Sequence, residues 1–154
     1  MSMNLCTHKT HPNWADTLKK IRPEDNDIVA FWKTTNTAFS AISTGEILFF
    51  NVEGLIMGGG TFIEFIPSIT IAKLWNEYGF FAGAKSLKEL ENDIEGKSGG
   101  KLVSGVNTNI SYIKLDNIFW FSDGVAKAFT KEFNVQKGVQ NPVKKYTIEI
   151  YENK

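Results

Sequence analysis

The sequence has little of what many secreted and catalytic proteins depend on. It contains one cysteine, Cys6, so an internal disulfide and a cysteine-based zinc site are excluded, which fits a reducing compartment. Seventeen basic residues balance 17 acidic ones, so no net field favours nucleic acid or an anionic membrane surface. No apolar run approaches the roughly 18 residues of a membrane span, and the first residues lack the apolar stretch of a signal peptide. The sequence therefore predicts a cytoplasmic protein with no membrane partner.

Aromatic residues, in contrast, are abundant. Of the 154 residues 13% are aromatic, including 12 phenylalanines and four tryptophans, so a packed core is expected rather than disorder. This length suits one domain with a sizeable core. We expect a single domain over residues 1–154, with residues 1–12 forming a flexible terminus.

Hydrophobic periodicity predicts strands in the first half of the chain and at its end. Trp14 to Ile21 has the spacing of a short amphipathic helix, and "IVAFW" from Ile28 is a strand-like run. The runs "EILFFNVEG" and "LIMGGGTFIEF" predict a hairpin turning at Glu53-Gly54, with the second strand stopped by Pro67. The final run "KKYTIEIYEN" predicts a terminal strand.

Two helices are expected between these groups of strands. One is capped by Ser68 and ends at Gly79, and the next begins at Ser86 with Glu89 at capping-box spacing. Residues 101–121 are β-prone and predict two or three short strands. The whole order predicts an α+β fold with a strongly bent sheet or small barrel and helices packed on it.

Three consecutive glycines, Gly58, Gly59 and Gly60, interrupt a strand that is otherwise well formed by apolar residues. Glycine weakens a strand because it adds backbone entropy and packs nothing. The triplet therefore indicates either a bulge that bends the strand or a place where a ligand approaches the backbone. It is neither a Walker loop nor a dinucleotide fingerprint, because no helix follows it.

Two tryptophans have polar neighbours suited to holding a flat ligand. Trp32 follows Phe31 and precedes Lys33 and a polar loop through Asn36, and Trp120 precedes Ser122-Asp123. An aromatic ring beside an amide or hydroxyl can stack on a base and read its edge. The alternative is that both rings belong to the core.

Candidate catalytic and metal-binding residues are few. Cys6, His8 and His11 lie close together in the sequence, either as a metal cluster or as an ordinary polar terminus. Without further histidines or cysteines, general acid–base catalysis by histidine and a Cys-His dyad have little support. We expect no catalytic residue, no metal and no cofactor.

Several motifs, in order, resemble the N-terminal domain of bacterial HNH restriction endonucleases. They are "NWADTLKK", "AFWK", "AFSAISTGEILFFNV", "IMGGGTF" and "AKLWNEYGFFAGAKSLKEL", from about residue 13 to about residue 94. The resemblance implies a PUA/SRA-like bent β-barrel with two or three helices packed on it. It also implies a pocket that receives a base, often a modified one, of DNA or RNA. No His-Asn-His constellation follows, so cleavage is not expected.

The leading interpretation is a non-catalytic module that reads a modified DNA or RNA base in an aromatic pocket. The alternative is a protein that binds or sequesters a small nucleotide, phage-encoded and directed against host defence. A catalytic role is the third and least supported. The expected ligand-binding residues are Phe31, Trp32, Lys33, Asn36, Gly58, Gly59, Gly60 and Trp120.

Overall fold

The described part of the chain forms one mixed six-stranded sheet with four α-helices. The computed structural model describes residues 2–35, 42–99, 102, 104–132 and 143–149. The strands are β1 (Ser2–Lys9), β2 (Val29–Lys33), β3 (Ile47–Val52), β4 (Leu55–Thr70), β5 (Asn109–Trp120) and β6 (Val143–Glu149). The helices are α1 (Pro12–Ile21), α2 (Ile71–Tyr78), α3 (Leu87–Lys97) and α4 (Asp123–Glu132). The predicted α+β class is confirmed.

The strand order is β2-β5-β4-β3-β1-β6. β1 runs parallel to β3, and every other neighbouring pair is antiparallel. β2 and β6 are thus the two edges, and no pairing among the described strands closes the sheet into the expected barrel. No helix in the described part of the chain is long and apolar enough to span a membrane.

The β3–β4 hairpin is confirmed and has the predicted turn. Glu53 and Gly54 both have positive φ, 53° and 94°, between the paired residues Val52 and Leu55. A two-residue turn with two positive φ values matches the right-handed twist of the strands it joins. The local sequence is therefore sufficient to define this part of the fold.

Pro67 does not stop the second strand, contrary to expectation. β4 continues to Thr70, and its register with β5 shifts between Ile66 and Ile69. An irregularity in the ladder accommodates a residue that has no N–H to donate. The cap of α2 is consequently Thr70 rather than Ser68, since the Thr70 hydroxyl accepts from the N–H of Lys73 at 3.1 Å.

The other helix predictions are confirmed where the local signal is strong. The Ser86 hydroxyl accepts from the N–H of Glu89, whose carboxylate accepts from the N–H of Lys85. α2 ends at Tyr78 with the predicted Gly79 as its C-cap, and α1 covers the predicted Trp14 to Ile21.

Three elements differ from the sequence predictions. Residues 109–120 form one long strand, β5, instead of two or three short ones. Residues 2–9, expected to be flexible, form β1 between β3 and β6. The helix α4 was not predicted; its Phe129 ring stacks on Phe49 with centroids 5.2 Å apart, so tertiary contact stabilises it.

The sheet curls around a cluster of aromatic rings. Phe31 of β2 and Phe50 of β3 stack with centroids 5.9 Å apart, although two strands separate them in the sheet. Trp14 of α1 contacts both rings edge-on, at 4.9 and 5.1 Å. Gly83 leaves the room for this indole, because a Cβ on Gly83 would overlap the Trp14 ring. The helix α1 thereby connects β1 to β2 across the concave side.

Candidate functional site

A cavity of about 350 Å³ opens where the end of β1 faces β2, and we call it the β1–β2 cavity. Small-molecule sites typically occupy about 300–1,000 Å³. The start of α1 and the last residue of α3 complete its wall. Its lining residues are His8, Lys9, Thr10, His11, Trp14, Phe31, Trp32, Lys33, Thr34, Thr35 and Lys97.

Aromatic rings form much of this wall. The His8 ring meets the Phe31 ring edge-on at 4.9 Å, and the His11 ring lies 5.8 Å from the Trp32 ring. Trp32 is 7% exposed and also belongs to the main core cluster. Its indole N–H is buried and has no hydrogen-bond acceptor among the described residues. Buried donors are rarely left without an acceptor, because each unmade hydrogen bond costs about 1–3 kcal/mol.

The polar part of the lining is cationic. Lys9, Lys33 and Lys97 contribute ammonium groups, and the lining residues that the structure describes include no aspartate or glutamate. Burial lowers the pKa of Lys33, and burial together with the charge of Lys9 lowers the pKa of Lys97. The Lys33 ammonium also lies 5.3 Å from the centre of the Phe65 ring. A ligand that carries negative charge would offset the burial of the Lys33 ammonium and reduce the repulsion between Lys9 and Lys97.

His8 is held in its neutral form. Burial lowers the pKa of His8 to about 4, with smaller contributions from Lys33 and Lys97, against the raising effect of its hydrogen bond to Lys9. The Nδ1–H of the neutral ring donates to the backbone carbonyl of Lys9 at 2.7 Å. His8 therefore supplies an uncharged, oriented ring to the cavity at neutral pH.

Hydrogen bonds fix the cavity walls to the rest of the fold. The Trp14 indole N–H donates to the carbonyl of Ala30 at 2.9 Å, which ties α1 to β2. The buried Ser111 hydroxyl donates to the carbonyl of Thr35 just beyond β2. On the opposite wall the backbone N–H of Thr10 donates to the carbonyl of Asn51 in β3 at 2.8 Å. The cavity is thus built on anchored elements, which suits a preformed binding site.

The structure brings together three of the predicted ligand-binding residues and separates the others. Phe31, Trp32 and Lys33 all line the β1–β2 cavity. Asn36 lies outside the described residues. Trp120 lies elsewhere, in a groove of about 550 Å³ with Lys19, Arg22, Pro23, Ile118, Phe119, Phe121, Ser122 and Asp123.

The glycine triplet does not line the cavity, and the idea that a ligand approaches it is not supported. A Cβ on Gly58 would collide with the carbonyl oxygen of Phe119. One on Gly59 would lie 2.8 Å from the Leu48 oxygen, and one on Gly60 would lie 2.6 Å from the Ile118 side chain. The neighbouring strands β3 and β5 fill the space that the missing side chains leave. The ladder shifts register between Gly59 and Thr61, in agreement with the bulge interpretation.

Eight of the 11 lining residues are not among the ligand-binding residues expected from the sequence. Lys9, Thr10 and Lys97 were not singled out, and His8 and His11 were weighed only as metal ligands with Cys6. Cys6 is instead buried in the core, and the described residues contain no group of three or more His, Cys, Asp or Glu side chains placed to hold a metal ion. The available signal was the run "THKTH", which combines both histidines with a lysine immediately before a helix.

Comparison with known proteins finds no matching family model, no matching curated protein and no matching solved structure. The resemblance to the N-terminal domain of HNH restriction endonucleases therefore stays a prediction, and the functional argument depends on the cavity itself.

Proposed function

We propose that the chain is a non-catalytic binding protein that holds the base of a nucleotide in the β1–β2 cavity. The observation that carries this proposal is one anchored cavity with aromatic walls and three lysines, and with no carboxylate among its described lining residues. Flat heterocycles stack on aromatic rings, and lysine ammonium groups bind phosphate oxygens. A nucleotide supplies both parts in one ligand.

The edge position of β2 also supports base recognition. β2 pairs with β5 on one side only among the described strands, and residues 31–35 at its end line the cavity. An unpaired strand edge offers backbone N–H and C=O groups in alternation. Such groups can hydrogen-bond the edge of a base while Trp32 and His11 contact its face.

The chemistry of the lining favours binding over catalysis. Within the described part of the chain no carboxylate lines the cavity, and the neutral His8 ring is held by its hydrogen bond to the Lys9 carbonyl. A general base needs a pKa near the operating pH, whereas the pKa of His8 is about 4. The lining residues are thus suited to stacking on a flat ring and to binding negative charge.

Two ligand sources share this chemistry: a base of DNA or RNA, including a modified one, and a small free nucleotide. A curled sheet with a cavity near its edge agrees with a PUA/SRA-like reader, which extrudes the base from a strand. The location of the three lysines at one cavity, in a chain without net charge, agrees with a small ligand.

Calorimetric titration and thermal shift with two ligand series test the proposal. One series contains nucleoside monophosphates, and the other contains oligonucleotides with and without modified bases. A ligand at 100 times its Kd should stabilise the fold by about 2.7 kcal/mol. Binding of neither series at millimolar concentration would contradict the proposal.

The dependence of affinity on salt concentration distinguishes a base of DNA or RNA from a free nucleotide as the ligand. A reader that contacts six or more phosphates should lose about a thousandfold in affinity between 50 and 200 mM salt. A mononucleotide carries few charges, so its Kd should change only severalfold over the same range.

A further inference from the structure

A second recess adjoins the β1–β2 cavity and shares part of its wall. This recess has a volume of about 290 Å³ and is lined by Lys9, Thr10, His11, Pro12, Asn51, Glu53, Gly54 and Lys97. Four of these residues, Lys9, Thr10, His11 and Lys97, also line the first cavity. The two spaces are therefore neighbours with a common boundary.

The common boundary is positively charged. Lys9 and Lys97 are both exposed, and the charge of Lys9 contributes to lowering the pKa of Lys97. Neither lysine forms an ion pair with a carboxylate in the described part of the chain. A phosphate located between the two spaces would contact both ammonium groups and relieve their repulsion.

The second recess differs from the first in its chemistry. Its described lining residues include no tryptophan or phenylalanine and instead contribute an amide, Asn51, and a carboxylate, Glu53. Glu53 and Gly54 form the tight β3–β4 turn, which the Asn51 side-chain oxygen braces by accepting from the N–H of Gly54 at 2.8 Å. The carboxylate would repel a second phosphate but would accept hydrogen bonds from N–H groups on the edge of a base.

We propose that the ligand is two consecutive nucleotides joined by a phosphodiester. The first base occupies the β1–β2 cavity, the linking phosphate contacts Lys9 and Lys97, and the second base directs its N–H donors to Glu53. Guanine suits the second position best, because its ring N–H and its amino group lie side by side and match the two oxygens of a carboxylate. This inference rests on the proposed nucleotide-binding function and extends it.

Calorimetric titration with a 5′-mononucleotide and with linear dinucleotides that end in guanosine or uridine tests the inference. We expect the guanosine dinucleotide to bind at least about tenfold tighter than the mononucleotide and tighter than the uridine one. If the mononucleotide binds and neither dinucleotide binds more tightly, the inference is wrong and the proposed function stands. If none of the three binds, the proposed function itself fails.

Two variant pairs locate the effect. Lys97→Gln should weaken binding of the dinucleotide about tenfold. Lys88 is an exposed lysine on the same helix, and Lys88→Gln should leave the affinity unchanged. Glu53→Gln should remove the preference for guanosine without altering mononucleotide affinity, and Glu24→Gln, an exposed residue outside both spaces, serves as its control. Equal effects within either pair would overturn the assignment.

Discussion

The glycine triplet of β4 and the aromatic end of β2 give similar signals in the sequence but have different surroundings in the fold. β4 is central, with β3 on one side and β5 on the other, so the space above Gly58–Gly60 is filled by neighbouring backbone and side chains. β2 is an edge strand, and an open cavity lies beside Trp32. Glycines or aromatic residues in a strand can therefore contribute to a binding site when the strand lies at the sheet edge, whereas neighbouring strands fill the space around them when the strand is central.

The glycine triplet offers the largest test of this comparison. Gly58→Ala places a Cβ against the Phe119 carbonyl, so the β4–β5 ladder must separate. We expect a loss of free energy of unfolding on the order of 3 kcal/mol, measured by urea denaturation.

Gly96→Ala is the matched control, because nothing lies within 4 Å of a Cβ at that exposed position of α3. It should be neutral or stabilise the protein by up to about 1 kcal/mol. Similar stability of the two variants would mean that the triplet does not have to be glycine, and the ligand-approach interpretation would regain support.

Stacking in the cavity is expected to have the next largest effect. Trp32→Leu keeps an apolar side chain beside the core but removes the flat ring, so nucleotide binding should weaken roughly 5- to 100-fold. Trp120→Leu, in the separate groove, should leave the affinity unchanged. Both variants are first checked for folding by circular dichroism and then titrated with the nucleotide. If only Trp120→Leu binds more weakly, the ligand occupies the Trp120 groove and not the β1–β2 cavity.

The buried His8 predicts a dependence of stability on pH. Its pKa in the folded protein is about 4, below its ordinary value of 6.5, so the unfolded chain binds more protons between these values. The free energy of unfolding should therefore fall as pH decreases from 6.5 to 4, by up to about 3 kcal/mol.

His8→Asn retains a donor for the Lys9 carbonyl but does not titrate, so it should flatten this part of the pH profile. Denaturation at a series of pH values measures both proteins. An equally steep profile for the variant would show that other groups control the acid sensitivity.

Pro67 should have the smallest effect. It is exposed at an irregularity of β4, where the β4–β5 ladder has no pairing that would need an N–H at residue 67. Pro67→Ala should destabilise the protein by less than about 1 kcal/mol, through greater freedom of the unfolded chain. A loss several times larger in thermal denaturation would indicate that Pro67 fixes the course of β4.

Local signals predicted much of the fold, and distant contacts explain the rest. The Glu53-Gly54 turn and the Ser86-Glu89 capping box depend on neighbouring residues, so the sequence was sufficient for both. β1 and α4 were missed because their stability comes from elements far along the chain, as the stacking of Phe129 on Phe49 illustrates. The prediction that Pro67 stops β4 was wrong because the irregularity that accommodates it depends on the partner strand β5.

The same distinction applies to the site. Phe31, Trp32 and Lys33 are contiguous, so their pattern was visible in the sequence. Lys97 joins them only because α3 ends beside β1, which no local pattern reports. The curl of the sheet, seen in the Phe31–Phe50 stack, is what brings β1 and β2 to opposite sides of one cavity.

The most direct test of the central claim follows the indole N–H signals of Trp32 and Trp120 by NMR during titration with a nucleoside monophosphate. If the β1–β2 cavity binds the base, the Trp32 signal should shift and saturate with the ligand while the Trp120 signal stays in place. A saturating shift of Trp120 with no change at Trp32 would contradict the account.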